Sequence, residues 1–417
     1  MIKKHFMINL ICLLIVVFAL NGCNKNNKNA LIPVQMTEGD YWSIIDENGK
    51  EVVKEEYPED ARISVVYNGV YWVRMDGKYQ LYSIKSPKKP ISDEEYTNAT
   101  YFNAGVALAS KPNSPICIID TRGNCITLSK DIVICRGFTG EEGYAKFENQ
   151  KGLKGVLNTK GKIVVEPRYE ALGIPCDGLV IAKKEKSDKI AIVLNMQGKK
   201  QGEINLNKYY LLNDWFHEGK IIVANNKNEN LIVLDKTGKE LYEIKNAGDI
   251  YSIVHSDHTI LDGYMEYVNA NGRWGLVDNN GQKIIRPKYQ GIINLGDGFF
   301  GVYKNHKLGI INHKDEVIVD FKFESCKGMV GDKFIMEDKN SYVLLGKNGK
   351  EITSFYNFDI AWEPYAIYVD EQTSSVSNIK DLDDWDNENF NGNRRGVETV
   401  EDDDYIAVDT VVADPEW

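Results

Sequence analysis

The feature that most limits what this chain can fold into is a hairpin that recurs nine times. Its clearest copy reads Trp274-Gly275-Leu276-Val277-Asp278, then Asn279-Asn280-Gly281, then Lys283-Ile284-Ile285-Arg286 and Pro287. The first five residues have strand composition. The Asn-Asn-Gly triplet is a tight turn, in which Gly takes φ > 0 at no steric cost, and residues 283–286 form a second strand. Pro287 has no N–H to donate, so the ladder should stop there. One hairpin buries too little apolar surface to stand alone, so copies are required. With the position seven residues before the turn Gly as a frame, the pattern falls again at Trp42, Ile116, Lys154, Ala191, Leu231 and Tyr342. Their turn glycines are Gly49, Gly123, Gly161, Gly198, Gly238 and Gly349. Copies at Tyr79 and Leu308 carry Ser86 and Asp315 in place of the Gly. The steps run from 34 to 43 residues and cluster near 37. A period of that length means a solenoid, a propeller or another array.

A Gly followed by an alternating apolar strand precedes each hairpin, as in Gly69-Val70-Tyr71-Trp72, Gly178-Leu179-Val180-Ile181 and Gly263-Tyr264-Met265-Glu266-Tyr267. Each unit is thus a meander of at least three strands. A small fourth strand fits the variable stretch after the Pro, as at 169–174 or 289–295. No sustained 3.6-residue period appears in 40–370, so the body is all-β. The chain opens on a hairpin and ends on Tyr365-Ala366-Ile367-Tyr368, a strand of the second type. In a propeller-like ring that last strand would complete the first blade and hide the sheet edges. An open β-superhelix or solenoid satisfies the same phase, and nine units are many for one ring, so two part-rings also fit.

The Trp274 unit, with Gly281, Ile284-Ile285, Pro287 and Tyr289, resembles the WG-containing repeat of bacterial proteins. Lys154-Gly155-Val156-Leu157, with Gly161, Val164-Val165, Pro167 and Tyr169, is similar apart from Lys at the Trp position. Trp42 keeps the Trp but is followed by Ser43. The resemblance implies a β-repeat fold on envelope or secreted proteins and no established chemistry.

The N-terminus, residues 1–22, reads as a targeting segment that would take no part in the fold. Lys3 and Lys4 precede an apolar run over residues 6–20, too short for a comfortable span of about 20 residues. Leu20-Asn21-Gly22-Cys23 then resembles the lipobox of bacterial lipoproteins, which implies a diacylglycerol on Cys23. Residues 23–37 read as a tether and 38–370 as the repeat domain. Asn24 after the Cys points to the outer membrane. At the other end, residues 371–417 hold fourteen acidic and three basic residues, a balance equal to the whole chain's net charge of −11. That stretch has the composition of a disordered acidic tail. The body is left near neutral, which argues against nucleic acid.

Five cysteines remain beyond Cys12 and Cys23: Cys117, Cys125, Cys135, Cys176 and Cys326. An odd number leaves one unpaired. Cys117 and Cys125 flank one turn, close enough to consider a disulfide but not directly opposite. No C-x-x-C spacing, Gly-rich phosphate loop, G-x-S-x-G or H-E-x-x-H occurs. His255 and His258 lie three apart, on opposite faces if in a strand, so no metal site is expected there. The acids around Asp381–Asp386 lack the EF-hand pattern. The recurrent Trp and Tyr at the hairpin starts suit core positions. Trp72, Trp215 and Trp362 lie off that phase, Trp215 and Trp362 in loops, and are the residues to inspect for ligand contact. The reading is a lipid-anchored envelope protein, its repeat domain a non-catalytic binding or scaffolding module for protein or glycan, with no cofactor. A glycan-active hydrolase or lyase, and a structural spacer, are the alternatives.

Overall fold

The computed structural model describes residues 31–358 apart from 40, 141, 229, 246–259 and 270, together with 366–368. Among these residues there are strands and no helix, and the strands fall into nine sheets. Each sheet is one blade: residues 31–57, 62–83, 98–127, 132–169, 171–205, 209–244, 260–289, 291–323 and 325–355 form blades 1 to 9. A full blade is an antiparallel meander of strands a, b, c and d in chain order. The recurrent hairpin supplies c and d, the Gly-led strand is b, and the stretch after the Pro supplies a. Strand d of blade 3, Cys125–Thr127, is exposed throughout, whereas Ala171–Leu172 and Gly291–Gly296, both a strands, are buried. Strand a therefore lies toward the axis and d at the perimeter.

The core is not one mass but nine apolar clusters, each shared by two blades. Leu276 and Ile285 of blade 7, for example, pack with Phe300 and Val302 of blade 8. The cluster that decides the architecture joins Ile32, Val34 and Ile45 of blade 1 to Ile335, Leu344 and Phe355 of blade 9. An open array would leave both of those faces in water, at a cost of roughly 1.5–3 kcal/mol for each large side chain so exposed. The chain is a nine-bladed β-propeller, and neither the solenoid nor the two part-rings describes it.

Closure differs from the sequence expectation in its strands. Blade 1 takes its b strand from Leu31–Val34, paired with Trp42–Asp46 so that Leu31 faces Asp46. Residues 31–34, inside the stretch read as tether, therefore belong to the ring. The C-terminal side adds one antiparallel bridge, where Gln35 N–H donates to Asn357 O at 3.0 Å and Tyr356 N–H to Gln35 O at 2.9 Å. Asn357 Nδ2 donates to Gln35 Oε1 at 2.7 Å. The strand expected to complete blade 1, now seen as Ala366–Tyr368, instead pairs with Ile134, Cys135 and Arg136 on the axis-side strand of blade 4. Ile367 is buried there among Cys135, Phe138, Val106 and Leu108. Blade 1 already has its b strand, so the segment was free to cover another apolar edge.

Two sequence marks acquire a physical cause. Pro287 does not end its ladder: strand d runs Lys283–Tyr289, with Leu276 opposite Ile285 and Trp274 opposite Tyr289. Between these pairs three residues on d, Arg286, Pro287 and Lys288, face one on c, Gly275, a bulge in which a missing N–H costs nothing. The bulge folds over Gly275, where a Cβ would lie 2.4 Å from the Ile285 carbonyl oxygen. Gly155 and Gly309 sit under the same bulge, 2.6 Å from Val165 O and 2.7 Å from Val319 O by the same measure. Blade 1 makes it over Ser43, a small residue whose Oγ donates to Glu51 Oε1 at 2.9 Å. In blades 5, 6 and 9, where Ile192, Ile232 and Val343 stand in this place, pairing is regular there.

The turn glycines are likewise held by the neighbouring blade. A Cβ on Gly238 would lie 1.9 Å from Glu203 O, and one on Gly349 2.4 Å from Ile318 O, each on strand d of the preceding blade. A Cβ on Gly49 would lie 2.9 Å from Thr353 Cγ2 of blade 9, which repeats the close approach across the closure. Of the units lacking this Gly, the Ser86 copy belongs to blade 2, which has only three strands; Tyr96 and Ile91 bond to its outer edge at Tyr79 and Leu81. In the other, Asp315 adopts φ +67° and accepts hydrogen bonds from Lys288 and from Tyr289 OH, the latter at 2.6 Å, both on blade 7.

Candidate binding surface

Three polar side chains, Trp72, Lys146 and Glu266, stand three residues after the Gly of a b strand. Each reaches the axis-side segment of the next blade. Trp72 Nε1–H donates to Thr100 O at 3.1 Å, Lys146 Nζ donates to Leu172 O at 2.8 Å, and Glu266 Oε1 accepts from Asn294 N–H at 2.8 Å. The a strands Asn98–Ala99 and Ala171–Leu172 are two residues long, and Gly291–Gly296 breaks register between Asn294 and Gly296, so some backbone groups lie off the ladder and need a side-chain partner. Asn103 serves the same end, donating to Phe138 O at 3.0 Å and Gly140 O at 3.1 Å. At the start of strand c, Lys154 in the Trp position pairs with Glu148 at 3.0 Å and donates to Glu170 O at 3.2 Å. Trp72 is thus a core residue, 1% exposed and stacked on Phe102 at 5.6 Å, and not the ligand contact suggested by its phase.

The a–b and c–d turns lie at one end of the meander and define one face of the ring. Several a–b turns are two-residue hairpins with φ > 0 at both central residues, such as Asn68-Gly69 and Asp177-Gly178. The residue before the Gly carries a link that the sequence reading missed. Asp177 accepts from Gly219 N–H at 2.8 Å, Glu218 from Gly263 N–H at 3.1 Å, and Asp262 from Asp297 N–H at 2.6 Å. Asp297 then pairs with Lys347 at 3.0 Å. Blades 5 to 9 are stitched turn to turn in this way. The signal was present in the acid preceding each of these glycines, but its partner is a blade away. Asn279 Nδ2 also donates to Glu218 Oε2, at 3.3 Å. Burial, with the nearby Asp278 and Glu218 carboxylates, pushes the Tyr242 hydroxyl up to about 12.

Of the two candidate ligand-binding residues, Trp215 is half-buried between the buried Asp214 and Phe216, close to the His217–Lys220 turn bridge. Its segment is pressed on blade 5, where a Cβ on Gly173 would lie 2.0 Å from Asp214 O. Trp362 lies outside the described residues, as do Cys23, His255, His258 and the acidic tail. Trp42 is fully buried and Trp274 half-buried between two clusters, as core positions require. The five cysteines of the ring form no disulfide with one another. Cys125 stands opposite Ile119 and Cys117 opposite Thr127, so the considered bond between those two is not made. Among the described residues no group of three or more His, Cys, Asp and Glu is placed to hold a metal.

A family model described as WG containing repeat matches residues 42–79, 155–186 and 274–307. No curated protein matches the chain. Among solved structures, a eukaryotic initiation factor is similar at TM-score 0.45 and 9% identity, covering 78% of this chain and 95% of that one. BamB from Moraxella catarrhalis is similar at TM-score 0.36 and 12% identity, over 69% of this chain and 94% of that one. The dihydro-heme d1 dehydrogenase NirN is similar at TM-score 0.40 and 10% identity, over 79% and 73%. Scores this low say nothing about what the chain does, and the three repeat stretches are what the comparisons establish.

Proposed function

We propose that this is a lipid-anchored envelope protein whose ring serves as a binding or scaffolding module for a protein or a glycan. The observation that carries the reading is where its buried polar groups point. Trp72, Asn103, Lys146, Lys154 and Glu266 all bond to backbone or charge within the blade packing. They are spent on holding blades together, which leaves the faces and loops as the working surface. The anchor rests on Lys3, Lys4, the apolar run and Leu20-Asn21-Gly22-Cys23, followed at once by a short polar stretch and blade 1. Asn24 favours the outer membrane.

The test is a pull-down from detergent-solubilised envelope with the anchor intact, compared with a Trp215→Ala/Trp362→Ala variant. A partner or glycan held by the native chain and lost by the variant is the expected result and places the contact at those residues. Recovery by both chains keeps the binding role and removes these two tryptophans from it. Empty lanes from both overturn the binding role in favour of a spacer.

A further inference from the structure

We infer that the turn face of the ring, the end carrying the a–b and c–d turns, lies against the lipid surface. The inference rests on the anchor reading of Cys23. Leu31 starts blade 1 directly opposite Asp46, the first residue of a c–d turn, so the chain enters the ring at the turn face. Leu31 lies eight chain steps beyond Cys23, with seven residues between them, a reach of about 28 Å when fully extended. To put the opposite face on the bilayer, the tether would pass strands c and d, about 10 Å, and climb a strand of five residues, about 17 Å. That path uses its whole length. With the turn face down, none of that length is needed.

The turn face is also where aliphatic side chains are left in water. Val52, Ile126, Leu241 and Ile284 each stand three residues after a turn Gly, and Val317 two after Asp315. These are five of the eight large hydrophobics exposed among the described residues, at 38–51%. They are spread around the perimeter of one face, so a flat apolar-to-polar boundary can meet them together where a single compact protein partner cannot. The turn charges are mixed, with Lys160, Lys162, Lys199 and Lys200 against Glu47, Glu51 and Glu316. Contact should therefore depend on the aliphatic residues and little on salt. Trp215, near a turn of this face, then lies on the membrane side, so a partner meeting it is itself membrane-bound.

The full lipidated chain would be purified with Cys125→Ser and Cys176→Ser, and the lipid mass on Cys23 confirmed by mass spectrometry. A fluorophore is then placed at Asn48→Cys on blade 1, at Lys236→Cys on the turn of blade 6, or at Lys227→Cys on the opposite face. The chain goes into phosphatidylethanolamine–phosphatidylglycerol vesicles with a nitroxide near the headgroup. Quenching at 48 and 236, with none at 227, is the expected result. Leu241→Ser/Ile284→Ser should reduce quenching at 236 while the lipid mass is unchanged. Quenching at 227, quenching at 48 alone as in an edge-on ring, or quenching nowhere on a lipidated chain overturns the orientation and leaves the anchor standing. A chain with no lipid on Cys23 removes the anchor and the orientation together.

Discussion

At the residue scale, what holds the ring is a set of positions where a neighbouring blade forbids a larger group. Gly238 and Gly219 separate two costs. Both have positive φ, +85° and +70°, so an Ala at either pays the left-handed cost of about 1–2 kcal/mol. Only at Gly238 would the new Cβ meet a backbone oxygen, whereas at Gly219 nothing lies within 4 Å. Gly238→Ala should therefore lose about 1–3 kcal/mol more than Gly219→Ala in urea unfolding; equal losses would show that the inter-blade contact is not tight. The turn acids give a second test. Asp120 Oδ1 accepts from Arg122 and Asn124 N–H at 2.8 and 2.9 Å, an arrangement that Asn158 and Asn195 reproduce in their own turns. Its partial burial alone would raise its pKa, but the bonds from Asn124 and Arg122 outweigh this and hold it at about 2. A depressed carboxyl contributes stability above its ordinary value near 3.8 and loses it as pH falls toward 2. The stability difference between native chain and Asp120→Asn should thus shrink across that window, as read by thermal unfolding at stepped pH. A difference that stays constant would remove the charge from the account.

At the scale of the element, the hairpin frame was legible because Gly and Asx residues mark c–d turns at a fixed offset. The all-β body, the nine units and the extra a strand followed from it. The Pro was misread, since a single chain shows that Pro lacks an N–H but not that a bulge removes the need for one. Gly275 was visible as a motif letter; its cause, the Ile285 carbonyl above it, is a cross-strand fact. The Asp177–Gly219 and Lys146–Leu172 links were illegible for the same reason, because each joins residues in different blades. Phase alone placed Trp72 among the ligand candidates, and packing against Phe102 moved it to the core. The strand Ala366–Tyr368 was recognised as a strand and assigned to the wrong edge, because closure phase cannot tell blade 1 from blade 4. Its worth is measurable. Ile367→Ala should cost about 2–5 kcal/mol as a buried large-to-small change, whereas Val52→Ala, at an exposed site, should change stability by less than about 0.5 kcal/mol. Similar small losses at both would mean that the segment only rests on blade 4.

At the scale of the whole molecule, the nine clusters make every blade depend on two neighbours, so blade 1 and blade 9 are stable only because they meet. A solenoid of the same units would end in atypical capping units. Here both ends present the same apolar faces as the interior blades, and those faces are consumed by closure. This shapes where function can reside: strands carry the ring, and turns, loops and the two faces are left for contact. The most direct test of closure is a bond between residues 35 and 357, which are 322 apart in sequence and hydrogen-bonded in the ring. Gln35→Cys/Asn357→Cys, in a chain with Cys125→Ser and Cys176→Ser, would be oxidised mildly and run unreduced on a denaturing gel. The closed ring predicts an internal disulfide that makes the chain migrate faster, with a cross-linked peptide joining positions 35 and 357 in the digest. Two introduced thiols that label separately, with unchanged migration, would contradict it and open the ring.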